Sequence, residues 1–313
     1  MSKQSPIQPR PVFVIGAARS GTKYLRDLVT ESPSTCVIPF DVNFLWRLGS
    51  ESSPHDELSG SDLSPAQRER VRRSIVRAAA WKPGKVLVEK TVSNALRVDF
   101  VKTIFPEARF VHLIRDGRSV IESVRRVWDI PTTLKYKISK LRYYPWTNLR
   151  YAARMVSDSL PGNRTTKRVW GVRYNGIDKD LESQSRLQIC ANQWVNCIEI
   201  SRKQLADVPP TDVLNIRYED MLQDENVFQG YCDFVGIPSD DSVRQAHGAR
   251  TRTDTTEKWR GCFTEQDIQE VAPIIDPIQQ RLGYGTLGDC GDASADNGTA
   301  APNTNTATNT SQA

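Results

Sequence analysis

Two short stretches carry residue types whose spacing suits the binding of an anion. The first is Gly16-Ala17-Ala18-Arg19-Ser20-Gly21-Thr22-Lys23. Its two glycines allow a tight turn. A helix opening at Thr22 presents N–H groups with no partner of their own, the common way for a chain to hold an oxyanion. A nucleoside-triphosphate loop places a lysine and then a hydroxyl residue after the second glycine, to reach the outer phosphates and hold magnesium. Here the order is reversed, Thr22 then Lys23, so the loop keeps what binds one phosphate-like group and loses the pair that manages a triphosphate with its metal. The second stretch is Arg109-Phe-Val-His-Leu-Ile-Arg115-Asp-Gly-Arg-Ser-Val-Ile-Glu-Ser123. An apolar strand runs straight into Arg115, and Ser123 follows on the next helix. Ligands of open α/β sheets bind at the C-terminal ends of strands, and a guanidinium fixed there can grip a phosphate through two parallel hydrogen bonds. A pairing of Arg115 with Asp116, or a solvated turn, is the plainer reading.

The elements that must position these residues alternate in type. Val12–Ile15 reads as a buried strand, and the helix after the glycine loop ends near Ser32-Pro33. Ser34–Ile38, Lys85–Glu89, Arg109–Ile114 and Val213–Arg217 read as further strands. Helices are expected over Ala66–Trp81, Ala95–Phe105, Gly117–Val127, Leu187–Leu205 and Asp224–Val235. A last helix, Thr264–Leu282, is expected to be interrupted near Pro273 and Pro277. Residues 49–65 read as loop. This alternation predicts an α/β fold: a central parallel sheet with helices on both faces. One domain over residues 1–288 is expected. A basic, aromatic region at 128–175 reads as a substrate lid or a solvated basic face. From Arg115 to Arg173 there are 14 Lys/Arg against 4 Asp/Glu. From Asp289 the chain turns to Ala, Asn, Thr and Ser without periodicity, a composition that reads as a disordered tail.

Composition narrows the classes further. The 313 residues are 38% hydrophobic and 25% charged, which excludes wholesale disorder. No apolar run is long enough to span a bilayer, and the first residues lack a signal-peptide core, so a cytoplasmic protein is expected. The net charge of +5 suits an anionic ligand without proving one. Six cysteines without a CxxC pair, beside three histidines, make a zinc site improbable and point to reduced, buried thiols. His112, inside an apolar strand, reads as a core residue.

Taken together, strand–GxxRSGT–helix followed by strand–RDGRxxxxS–helix resembles the sulfotransferase family, whose donor is 3'-phosphoadenosine 5'-phosphosulfate (PAPS). Ile216-Arg-Tyr218-Glu-Asp220 is similar to that family's RYEDL segment, and Lys258-Trp-Arg260-Gly-Cys-Phe-Thr264 to its C-terminal basic loop. The resemblance covers most of residues 12–284 and implies a P-loop-like sulfotransferase architecture. It places Arg19, Ser20, Gly21, Thr22 and Lys23 around the 5'-phosphosulfate. Arg115 and Ser123 fall on the 3'-phosphate, Tyr218 near the adenine, and Lys258 and Arg260 in a loop that closes over the donor. The reaction it implies is in-line transfer of the sulfuryl group to a hydroxyl or amine, with release of adenosine 3',5'-bisphosphate. No metal is required. Arg19, Lys23 and Lys90, which follows the KVLVE strand, are the cations that could stabilise the leaving oxygen; a salt bridge between Lys90 and Glu89 is the plain alternative. Many cytosolic members use a histidine as base, but none follows Glu89 here. The protein-tyrosine branch uses a carboxylate after the first βα unit, which implies Asp41 as base, with Glu89 second; an ordinary turn aspartate is the alternative. Two other functions stay open at this point: a small-molecule kinase, and a non-catalytic anion- or glycan-binding protein on the same fold. Nucleic acid is not an expected partner. The acceptor could be a sugar, a lipid, a peptide tyrosine or a metabolite.

Overall fold

The structure is a computed structural model that describes residues 9–128, 130, 169–250 and 256–288. Residues 131–168 of the segment read as a lid, and the tail 289–313, lie outside the described residues. Five strands form one parallel sheet: β1 (Val12–Ile15), β2 (Thr35–Val37), β3 (Val86–Glu89), β4 (Arg109–Ile114) and β5 (Val213–Arg217). Their order is β2-β3-β1-β4-β5. The helices in chain order are α1 (Thr22–Thr30), α2 (Asn43–Trp46), α3 (Pro65–Ala78), α4 (Val98–Ile104), α5 (Gly117–Val127), α6 (Ile177–Ser183), α7 (Arg186–Leu205), α8 (Tyr218–Gln223), α9 (Glu225–Val235), α10 (Asp241–Arg250) and α11 (Glu265–Arg281).

The central strand explains the layers. Every residue of β1 is buried, as a strand covered on both faces must be, so its sequence is a continuous apolar run rather than an alternation. Val12 and Val14 pack with Leu25 and Leu28 of α1 and with Phe228 and Tyr231 of α9. Phe13 and Ile15 turn to the other face, among Trp46, Phe100, Ile121 and Trp194. Strands are added on one side of β1 and then on the other: Val12 lies opposite Val88 of β3 and Arg109 of β4. That reversal opens a crevice at the C-terminal end of β1, flanked by the ends of β3 and β4.

The expected α/β sheet is present, with two local corrections. The last helix runs unbroken from Glu265 to Arg281 with Pro273 and Pro277 inside it. The two prolines are one turn apart on the exposed face. The carbonyls they leave without an N–H are therefore open to water, while Val271, Ile275 and Ile278 bury the opposite face. The helix expected at Ala95 starts at Val98 instead. A 3-10 turn over Val92–Leu96 precedes it, and the break falls at Arg97, whose φ is −157°. The short helices α2, α6, α8 and α10 were not legible from periodicity. Among the described residues no helix is long and apolar enough to cross a membrane.

Candidate active site

The glycine loop is closed by its own backbone: Ser20 N–H donates to Ala17 O at 3.2 Å. Arg19 takes a left-handed conformation with φ 68°, and Gly21 has φ 98°. A Cβ on Gly21 would lie 2.4 Å from Tyr218 Cδ2, and one on Gly16 2.7 Å from Leu113 O. Both glycines are therefore required by close approach, and Gly21 also by its backbone angle. Gly21 opens α1, and no side-chain cap occupies the start of that helix. Ser20 Oγ is fully buried and has no hydrogen-bond partner. A buried hydroxyl is costly to leave unpaired. That orphaned oxygen, beside uncapped helical N–H groups, fits the oxyanion end of a phosphosulfate.

The second motif closes on this loop. Arg19 Nε donates to Ser123 Oγ at 2.9 Å, and Arg115 Nη1 donates to Arg19 O at 3.2 Å. The Arg115 guanidinium lies 4.3 Å over the ring of Tyr218. Tyr218, buried, is thus a wedge between the glycine loop and Arg115. Asp116 does not pair with Arg115. It caps α5 through the Arg118 N–H at 2.9 Å and pairs with the Arg118 guanidinium at 2.7 Å. Gln279 Nε2 also donates to Asp116 at 2.8 Å, and Trp194 Nε1 donates to Arg115 O at 3.3 Å, fixing the turn that aims Arg115. Burial lowers the Arg19 pKa, and the charges of Arg126 and Arg115 add to the effect. Cations gathered in a half-buried place favour an anion.

At the neighbouring strand end lie the proposed acid–base residues. Asp41 Oδ2 accepts the Val92 N–H at 2.9 Å, Asp41 Oδ1 accepts the Asn43 N–H at 3.2 Å, and Lys90 Nζ stands 3.9 Å from Asp41 Oδ2. The Asp41 side chain is 26% exposed and that of Lys90 9%. Glu89 is wholly buried, with Oε1 bonded to the Thr91 hydroxyl and Oε2 accepting from Asn94 Nδ2 at 3.0 Å. Burial pushes the Glu89 carboxyl up to about 7 against the bond from Thr91; the Asp41 charge adds to the rise and Lys90 opposes it.

The Lys23 side chain is 74% exposed and pairs with Asp27 one turn along α1, pointing away from the loop. Thr22, buried, packs against Gly16. The basic loop docks on α5, where Ser119 Oγ donates to Thr256 O at 2.8 Å and Arg125 Nη2 donates to Cys262 O at 2.9 Å. Trp259 is buried beneath the Arg118 guanidinium, while Lys258 and Arg260 face solvent, Arg260 held by Glu257 at 3.2 Å. His112 is a core residue, held by Asn215 and Ser201, and burial brings its pKa down to about 4. Sequence reasoning missed Tyr24. Its ring meets Tyr218 edge-on with centroids 6.2 Å apart, and its hydroxyl bonds to His247 Nδ1. The aromatic in Thr22-Lys23-Tyr24 was the available signal. Among the described residues no three of His, Cys, Asp and Glu gather as a metal-binding group.

A parallel sheet carrying an oxyanion loop at its central strand and an arginine at the next defines an anion-transfer or anion-binding class. The family model described as the sulfotransferase family matches residues 11–187, and the chain belongs to that family. It is 21% identical over 289 residues to a Caenorhabditis briggsae chain named as a protein-tyrosine sulfotransferase, covering 88% of this chain and 89% of that one. It is 23% identical to protein-tyrosine sulfotransferase 1 of Danio rerio, covering 87% of this chain and 72% of the relative. The fold is that of the sulfotransferase domain from the curacin biosynthetic pathway, with TM-score 0.53, 15% identity, and 88% and 98% of the two chains covered. The sulfotransferase domain of the Synechococcus PCC 7002 olefin synthase matches with TM-score 0.50 and 15% identity, over 91% and 99% of the two chains.

Proposed function

We propose that this chain moves the sulfuryl group of PAPS to a hydroxyl acceptor, a tyrosine phenol being the first to test. The observation that carries the reading is the convergence of the two motifs, Arg19 on Ser123 and Arg115 on the Arg19 carbonyl, around a buried Ser20 hydroxyl with no partner. The loop N–H groups and Ser20 hold the phosphosulfate, and Arg115 with Ser123 holds the 3'-phosphate. Tyr24 offers the adenine an aromatic neighbour. The donor supplies an activated S–O bond to the 5'-phosphate, and the protein does the rest by position and charge. Arg19 and Lys90 stabilise the charge left on the bridging oxygen when that bond breaks. Asp41 takes the proton as the acceptor oxygen bonds to sulfur. Burial, not hydrogen bonding, ranks Glu89 behind Asp41 as the base: Glu89 is fully buried, while the Asp41 side chain is partly exposed. The names of the two curated relatives support a tyrosine acceptor. The outward Lys23 disfavours a kinase.

The experiment is transfer of labelled sulfate from PAPS to a panel containing a tyrosine peptide, a sugar, a lipid alcohol and an amine. Label on the tyrosine peptide is the expected result. Tight PAPS binding without transfer to any acceptor would favour a non-catalytic anion-binding protein.

A further inference from the structure

Beneath Asp41 and Lys90, the segment after β2 is tied to the segment after β3 by contacts that the reaction scheme leaves unused. The Thr91 hydroxyl donates to Glu89 Oε1 and accepts the Val42 N–H at 3.1 Å. In the other direction, Asp41 Oδ2 accepts the Val92 N–H at 2.9 Å. Each segment thus gives the other one backbone N–H. Asn94 Nδ2 closes the far side of Glu89 at 3.0 Å, and Asn94 Oδ1 accepts from Arg97 Nε at 2.9 Å. Glu89 and Thr91 are fully buried. In such a place a polar network holds its members in one arrangement only while every partner is present.

We propose that Thr91, oriented by Glu89, is a positioning residue whose hydroxyl fixes the Asp41 segment against Lys90. The inference rests on the reading of Asp41 as the base. It requires a group that donates and accepts at one atom, which a hydroxyl does. Valine has nearly the shape of threonine but leaves the Val42 N–H and Glu89 Oε1 both without a partner. Serine keeps both bonds. The charge on Glu89 sets the direction of the link. An ionised Glu89 draws the Thr91 proton toward itself and leaves a lone pair for Val42. A protonated Glu89 has its own proton to donate, and the Thr91 hydrogen must turn away. The charged groups that bear on Glu89 are Asp41, Lys90 and, beyond Asn94, Arg97. Burial holds the Glu89 pKa at about 7, so the clasp is complete above that pH and incomplete below it.

The test is steady-state transfer from labelled PAPS to a tyrosine peptide across pH, with melting temperatures for each variant. Thr91→Val should lower kcat about 10-fold with the KM for PAPS little changed, and Thr91→Ser should restore it to within about 2-fold. Wild-type kcat should fall through a limb near pH 7. Glu89→Gln should run at the low plateau of that limb at every pH, about 10- to 100-fold down at pH 8. Normal turnover in folded Thr91→Val overturns the proposal, as does a Glu89→Gln variant that keeps the limb. Should Thr91→Val fail to fold, Thr91→Ser and the Glu89→Gln profile decide it on the same terms. Complete loss in Glu89→Gln with no effect of Thr91→Val makes Glu89 the base and overturns it too. Near-normal turnover in Asp41→Asn removes the base reading itself. Loss in Asp41→Asn with normal Thr91→Val and Glu89→Gln removes only the positioning role.

Discussion

Replacing Arg115 by alanine tests the donor site most directly, because the structure separates two things the side chain does. It donates to the Arg19 carbonyl at 3.2 Å, which shapes the loop, and in the proposed complex it holds the 3'-phosphate. The first role affects every nucleotide that uses the loop; the second affects only one that carries a 3'-phosphate. Arg115 is 7% exposed, so its bond to an anion is charge-assisted and poorly screened. Loss of such a bond costs about 1.5–3 kcal/mol, roughly 10- to 150-fold in affinity. Loss of the neutral bond to the loop costs about 1 kcal/mol, roughly 5-fold, for either nucleotide. The informative quantity is therefore a ratio. Calorimetry on wild type should show a strong preference for adenosine 3',5'-bisphosphate over adenosine 5'-monophosphate. In Arg115→Ala that preference should shrink about 10-fold or more, while monophosphate binding weakens modestly. Arg115→Lys should fall between the two, since it keeps the charge and loses the fork. Equal affinity of the wild type for both nucleotides, or an unchanged ratio in Arg115→Ala, refutes the reasoning.

Further expectations follow from other parts of the molecule. Asp41→Asn keeps the size of the side chain and removes the base, so turnover should drop about 100- to 10,000-fold with little change in PAPS affinity by calorimetry. A chain ending at Gly288 should keep its melting temperature and donor affinity, because the last described anchors are Leu287 N–H and Gly288 N–H on Asp276 at 2.7 and 3.0 Å. A chain ending at Leu282 should lose both, since it removes the Tyr284 hydroxyl from Glu219 and the Thr286 carbonyl from Arg118. Transfer should survive exhaustive chelation, in keeping with the Thr22-Lys23 order; a collapse reversed by added magnesium would restore the kinase reading. Stability against pH should show two opposed slopes. His112, at about 4 against an ordinary 6.5, contributes stability that is present above pH 6.5 and lost as pH falls toward 4. Glu89, at about 7 against an ordinary 4.5, contributes stability that is present below pH 4.5 and lost as pH rises through 7. Glu89→Gln should therefore melt more steeply with falling pH between 6.5 and 4.5 than wild type does, measured by circular dichroism.

What could be read from sequence is what lies contiguously along the chain. The glycine loop, the Arg115 strand end and the Lys90 strand end are each a run of a few residues beside an apolar strand, and the parallel alternation puts strand ends on one edge of the sheet. What could not be read depends on the third dimension. Tyr24 becomes interesting only when Tyr218 and His247 come to it from the far end of the chain. Trp194 and Gln279 fix the turn that aims Arg115, and nothing near Arg115 in the chain announces either. Lys23 shows the opposite case. It sits next to the loop in sequence, but on a helix each residue turns about 100°, so the second residue of α1 points away from the loop opened by the first. Its partner Asp27 is one turn further along the same face, a pairing that sequence spacing did offer.

The same reasoning separates Asp41 from Glu89, which sequence alone left as rivals. Both are carboxylates near the ends of neighbouring parallel strands, and chemistry by type cannot choose between them. Their surroundings can. A base must meet a proton that arrives with the acceptor, so it must reach the rim of the site. Asp41 is partly exposed and faces Lys90 across 3.9 Å. Glu89 spends its oxygens inward, on Thr91 and Asn94. A buried carboxyl near neutrality is often taken as the mark of a catalytic acid or base. Here it stands at the end of a short chain of hydrogen bonds, Glu89 to Thr91 to Val42, that reaches the backbone beside Asp41, and the proposal gives it a holding role. In the proposed reaction the perturbed group holds, and the group at the rim takes the proton.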